Sequence, residues 1–168
     1  YGLLSDSNAF ATSSGYWNNT TPGTSTFTVG TDDSVNGNNA PYVAYCWAGV
    51  EGYSKFGSWT GNGSTDGPYI HCGFKPEFVI HKRSAGNIGN WIMQDAQRNP
   101  YNPVGIRLNA DNDYSEATVG VQYIDFLANG IKIRNASGGS NTSGHTYIYM
   151  AWAQNPFGGS GVAQAKAR

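Results

Sequence analysis

The chain has 168 residues, of which 12% are charged and 14% are Phe, Trp or Tyr, with a formal net charge of −1. That length suffices for one β-sandwich or barrel domain with its own core, and the ring area separates the chain from disordered sequences of similarly low aliphatic content. Near-neutrality and scattered basic residues supply no field for nucleic acid or an anionic membrane, and no run of eighteen apolar residues offers a membrane span.

In chain order, residues 16–23 read as an aromatic anchor followed by a loop, residues 26–30 as a short strand, and residues 35–39 as a turn in which Asn36-Gly37 suits positive φ. Residues 42–48 alternate as a strand, with Val43, Tyr45 and Trp47 on one face. Cys46 on the other face is expected to be a small buried hydrophobe. Two cysteines are too few for a disulfide scaffold, so a Cys46–Cys72 bond and the redox compartment both stay open.

Residues 53–60 alternate again and end at Gly61-Asn62-Gly63; residues 69–72 form a further short strand. Residues 77–82 and 90–95 pair as a hairpin across the turn at 86–89. One helical turn at 95–98 is the most the pattern allows, and Pro100 and Pro103 break any regular element there. Residues 123–127 lead through Asn129-Gly130 into a strand at 131–134, a second hairpin. Residues 147–153 carry the strongest strand signal, Ile148, Met150 and Trp152 on one face and Tyr147, Tyr149, Ala151 and Ala153 on the other.

That last strand matches residues 42–48 position by position. Residues 131–134 match 26–30 in order, and residues 108–118 resemble 3–12. Ordered similarity over three segments predicts a duplicated block. Residues 1–50 are then the second half of a first repeat, with partner strands upstream or shared. Residues 51–157 form a complete second repeat packed as one β unit, and 158–168 an exposed C-terminal tail. The expected fold is all-β, an antiparallel β-sandwich of jelly-roll or concanavalin-like type built from this internal repeat.

Residues able to carry chemistry are few. His71, His81 and His145 stand in strand or loop contexts, and no G-x-S-x-G elbow accompanies them. A glycan-cleaving carboxylate pair would have to come from Asp95, Asp111, Asp113, Glu116 and Asp125, but acids in turns usually bond their own backbone. No catalytic residue is assigned. Asp111, Asp113 and Glu116 offer hard oxygens for a structural calcium, the one cofactor left open, without the glycine and full spacing of a calcium loop; no cysteine–histidine set has zinc spacing. The remaining signal is aromatic. Trp17, Trp59, Tyr101 and Tyr114 lie in or beside Gly- and Asn-rich loops and are the candidate ligand-binding residues, rings stacking on sugars while neighbouring amides bond hydroxyls. The competing expectation is that such rings cap the sandwich ends. Sequons stand at Asn18, Asn19, Asn62, Asn135 and Asn141.

Residues 42–49, 52–68 (GYSKFGSWTGNGSTDGP), 73–80 (GFKPEFVI), 99–103 (NPYNP) and 146–157 (TYIYMAWAQNPF) together resemble a family of repeat domains at the C-terminal end of large tailed-phage virion proteins, tail-fibre-like chains common in marine and environmental phages. The resemblance implies a virion-surface β domain rather than an enzyme, displayed on a tail fibre, tail tip or head decoration and mediating host attachment. It further implies a homo-oligomer, often a trimer, that contacts other virion proteins and a host surface glycan or receptor, without nucleic acid or membrane insertion. A start inside a repeat, without Met, implies a fragment or a processed product. A carbohydrate-binding module is the first alternative and a polysaccharide depolymerase the second.

Overall fold

The computed structural model describes residues 1–86, 88–118 and 122–154; the tail expected at 158–168 lies outside them. The chain separates into two compact units, one made of Tyr1–Leu3 and Phe10–Trp47, the other of Leu4–Ala9 and the chain from Ala48 on.

The first unit is held by turns and caps rather than by a core. Two single-turn helices, α1 (Ser14–Trp17) and α2 (Asp33–Asn36), replace the loop and turn expected there. Their starts are capped locally: Ser13 Oγ accepts from Gly15 N (3.2 Å) and Asp32 Oδ1 from Ser34 N (2.8 Å), satisfying amides that a helix start leaves without an intrahelical acceptor. Gly30 N donates to Tyr16 O at 2.7 Å. A Cβ at Gly30 would lie 2.1 Å from Gly15 O, so glycine is needed for that approach.

The strands expected at 26–30 and 42–48 do not form in this unit. Val43, Tyr45 and Trp47 are 79%, 76% and 63% exposed, and Cys46, expected to be buried, is an exposed free thiol. Alternation prepares two faces, but a strand forms only when a neighbouring strand shares its backbone hydrogen bonds, and among the described residues no strand pairs with residues 42–48. The two look-alike stretches therefore differ in conformation and surroundings.

In the second unit the expected strands do find partners. β1 (Ser54–Thr60), β2 (Tyr69–His71), β3 (Pro76–Arg83), β4 (Ile92–Asp95), β5 (Ile106–Asn109), β6 (Ala117–Thr118), β7 (Ile124–Leu127), β8 (Gly130–Ile133) and β9 (Thr146–Ala153) form two antiparallel sheets, ordered β1-β9-β3-β4-β5-β6 and β2-β8-β7. Both hairpins read from sequence are present: β3–β4 sets Phe78 opposite Asp95 and His81 opposite Ile92, and β7–β8 sets Ile124 opposite Ile133. β5 and β6 were not expected; they extend the larger sheet beyond β4.

β9 is central in the larger sheet, between β1 and β3. Its Tyr147, Tyr149 and Ala151 face is buried against Trp59, Val79, Ile124, Phe126, Ile131 and Ile133, side chains drawn from both sheets, so the core lies between them. The opposite face is half-buried, and Trp152 there packs between Phe56 (5.8 Å, edge-on) and Phe78 (5.4 Å, stacked).

Two polar features fix the interior. Asn141, fully buried, accepts from Asn62 N (2.8 Å) and donates to Asn62 Oδ1, Ser64 O and Asn135 O (2.7–2.9 Å), tying the β1–β2 loop to the β8–β9 loop. The Asn135 and Asn141 side chains are thus closed to glycosylation in the folded chain. Asn141→Leu is expected to destabilise the unit by about 2 kcal/mol, because its neighbours lose their partner without gaining water, as a urea titration would measure.

The second feature is a buried chain of amides. Gln94 Nε2 donates to Val104 O and Gln122 O, both at 3.0 Å, so both its protons are used and Oε1 is left to accept from His81 Nε2 (3.4 Å). This makes His81 the Nε2–H tautomer. Its Nδ1 has no partner among the described residues, and burial pushes the ring's pKa down to about 4.

Candidate functional site

The segment NPYNP between β4 and β5 has little regular structure but is firmly anchored. Asn102 behaves like a strand neighbour to Phe126, accepting from its N–H at 2.9 Å and donating to its carbonyl at 3.0 Å. Asn99 Oδ1 accepts from Gly105 N at 2.8 Å, and Val104, 1% exposed, exchanges backbone bonds with Ile124 at 2.7 and 3.1 Å. Between these anchors Tyr101 is 80% exposed. Its backbone is already ordered, so a ligand meeting the ring does not have to order the loop as well.

Immediately after Tyr101 the chain borders a cleft of 380 Å³ lined by Asn102, Pro103, Tyr123, Asp125 and Arg134. Arg134 Nε lies 2.5 Å from Asp125 Oδ2, and the Asp125 side chain is 8% exposed. A Cβ at Gly105 would lie 2.4 Å from Tyr123 Cε1, so glycine lets that ring lie across the base of the loop. The walls combine a proline, a phenol, an amide and a mutually neutralised ion pair. Such a surface suits a polyhydroxylated, uncharged ligand, whose C–H faces pack on rings and whose hydroxyls bond to fixed polar groups.

The four aromatic candidates fall into different environments. Tyr101 and Tyr114 are exposed, the latter 70%. Trp17 ends α1, 42% exposed, with its ring edge-on to Phe27 at 6.2 Å. Trp59 is a core residue, 7% exposed, whose Nε1 donates to Ser140 O at 3.0 Å. It does not offer a ring to a ligand, because alternation along β1 turns it toward the second sheet.

The calcium candidates are not brought together. Asp111 Oδ1 accepts from Trp91 N at 3.1 Å, Asp113 is exposed, and Glu116 lies 3.5 Å from Arg98 Nη1; no group of three His, Cys, Asp or Glu among the described residues could hold a metal ion. Asp95 is ion-paired with Arg98. Burial raises its pKa, but hydrogen bonds from Arg98 outweigh that and leave it lowered. Both cysteines are free, and burial pushes the Cys72 thiol up to about 11, far from the thiolate a nucleophile requires. No helix among the described residues is long and apolar enough to cross a membrane.

Reading the sequence for exposed rings found Tyr101 but missed Asn99, Asn102 and the Asp125–Arg134 pair. The Asn residues bracketing Tyr101 were the available signal, since Asn between prolines commonly bonds neighbouring backbone.

No curated protein and no solved structure matches the chain. A domain family of unknown function (DUF7483) matches residues 2–156, and the chain belongs to that family.

Proposed function

We propose that this chain is a structural domain of a tailed-phage virion, displayed on a tail fibre, tail tip or head decoration, where it attaches the particle to its host by loop contacts rather than by catalysis. The observation that carries the reading is the anchored loop that holds Tyr101 80% exposed beside a cleft of fixed polar groups. The sequence resemblance to tail-fibre-like repeat domains supports the location. The sandwich is jelly-roll-like in this reading, and residues 42–48 gain strand partners from outside residues 1–50, by neighbouring chain or subunit. Oligomerisation, a trimer being the expected form, multiplies weak loop sites into avidity. A carbohydrate-binding module is the second reading, favoured by the same cleft. Depolymerase action is less well supported, since Asp95 and Asp125 are each held by an arginine.

Antibodies against the chain should label purified particles; a chain absent from them sinks the virion reading. Tyr101→Ala is expected to leave stability within about 0.5 kcal/mol, as for an exposed position. It should weaken binding on a glycan array about tenfold, the loss of one aromatic anchor. Unchanged array binding would remove Tyr101 from the contact surface.

A further inference from the structure

The outer face of the smaller sheet continues the cleft beside Tyr101. Ile70, Phe126, Ile131 and Ile133 of this sheet belong to the core, so alternation turns the residues between them the other way. The pairing register then sets Tyr69 on β2, Lys132 on β8 and Asp125 on β7 in one row across the strands. Residues 102–104 add a further lane beside β7, through the Asn102–Phe126 bonds and the Val104–Ile124 bridge. Arg134 N donates to Tyr123 O at 2.8 Å, which brings these two cleft-lining residues side by side.

The charges along this row are paired in place. Lys132 Nζ lies 2.7 Å from Asp66 Oδ1, and Arg134 Nε lies 2.5 Å from Asp125 Oδ2. The Lys132 and Asp125 side chains lie low, 21% and 8% exposed, whereas Tyr69 is 50% exposed and Tyr101 80%. Exposed rings therefore stand at both ends of a polar strip whose cations and carboxylates balance. His71 lies beside the first of them, its ring centroid 6.4 Å from that of Tyr69. From β2 to the lane of residues 102–104 is three inter-strand spacings, about 14 Å, more than one sugar ring covers.

We propose that this face is a track for an extended, uncharged oligosaccharide, about three residues or more from the spacing of the strands, laid across them from Tyr101 to Tyr69. The inference rests on the cleft reading above and names its ligand class. Sugar C–H faces pack on the two exposed rings. Sugar hydroxyls donate to carboxylate oxygens of the strip and accept from the half-exposed Arg134, whose guanidinium carries five N–H donors. A charged glycan meets one like charge for each opposite one, and so gains nothing over a neutral chain. Both rings stand on backbone that is already ordered, so little has to be fixed on binding.

A glycan array of neutral glucose, galactose, mannose and N-acetylglucosamine oligomers, each series printed from the monosaccharide upward, tests this with the full chain. Signal should rise with length until the oligomer spans both rings, and should not fall as salt is raised. Tyr69→Ala should weaken binding of the longest probes about tenfold, the loss of one aromatic anchor, and leave the shortest unchanged. Tyr69→Phe, which keeps the ring, should bind like the unaltered chain. Tyr101→Ala should weaken long and short probes alike. The length series on the unaltered chain tests the track even if Tyr69→Ala does not fold. No neutral signal, equal signal at every length, or unchanged long-probe binding in folded Tyr69→Ala overturns the track. If Tyr101→Ala alone loses binding, the track falls and the cleft reading stands. Length-dependent binding by a chain absent from particles keeps the track and overturns the virion reading.

Discussion

Trp59→Ala is expected to cost about 3–5 kcal/mol, the range for deleting a large buried ring, and so to remove much of the 5–15 kcal/mol that stabilises a typical domain. The ring is 7% exposed, stacks on Tyr147 (5.3 Å between centroids, 13° between planes) and lies 5.4 Å from His81 and 6.0 Å from Tyr149. Its Nε1 also holds Ser140 O, in the loop that carries Asn141. One substitution therefore opens a cavity between the sheets and unties the β8–β9 loop. Urea denaturation followed by circular dichroism would measure the loss. A cost near 1 kcal/mol would show that the ring is peripheral, and loss of glycan binding in a fully stable Trp59→Ala chain would restore it as a contact residue.

The second large effect is on pH. His81 has a pKa of about 4 in the folded chain, against 6.5 for an unperturbed imidazole, chiefly because burial disfavours the charged ring; the Gln94 bond opposes this and Arg107 adds to it. Between these two values the unfolded chain binds the proton and the folded chain does not, so protonation favours unfolding. This contribution is fully present above pH 6.5 and is lost as pH falls toward 4, by about 3 kcal/mol at roughly 1.4 kcal/mol per pH unit. Carboxylates held low by partners, such as Asp95, contribute at lower pH, as they approach protonation. Stability measured at pH 7.0, 6.0 and 5.0 should therefore decline through His81, and His81→Gln should flatten that decline. An unchanged slope in the variant would place the titrating group elsewhere.

Comparison of residues 42–48 with 147–153 shows what a local pattern can and cannot tell. Both alternate and both carry Trp at the sixth position, yet only the second lies between two strands. The candidate site divides similarly. Tyr101 was legible because prolines and asparagines are local turn signals, whereas the Asn102–Phe126 clasp joins residues 24 apart in sequence. Arg83, Arg107 and Gln122, which line one cleft, are likewise distant along the chain, and no spacing rule unites them. The calcium candidates show the converse: Asp111, Asp113 and Glu116 are close in sequence, but backbone and arginine partners engage two of them, and the three do not form one group.

The sequence by itself determined the all-β class, most strands between residues 53 and 153 and the two hairpins, because side-chain period and turn chemistry act over a few residues. Only the tertiary structure decided that the Tyr147–Tyr149–Ala151 face is the buried one, that Trp59 points inward, and that two arginines share a cleft. Strand pairing and burial join distant parts of the chain, and alternation separates two faces without saying which of them the second sheet will cover.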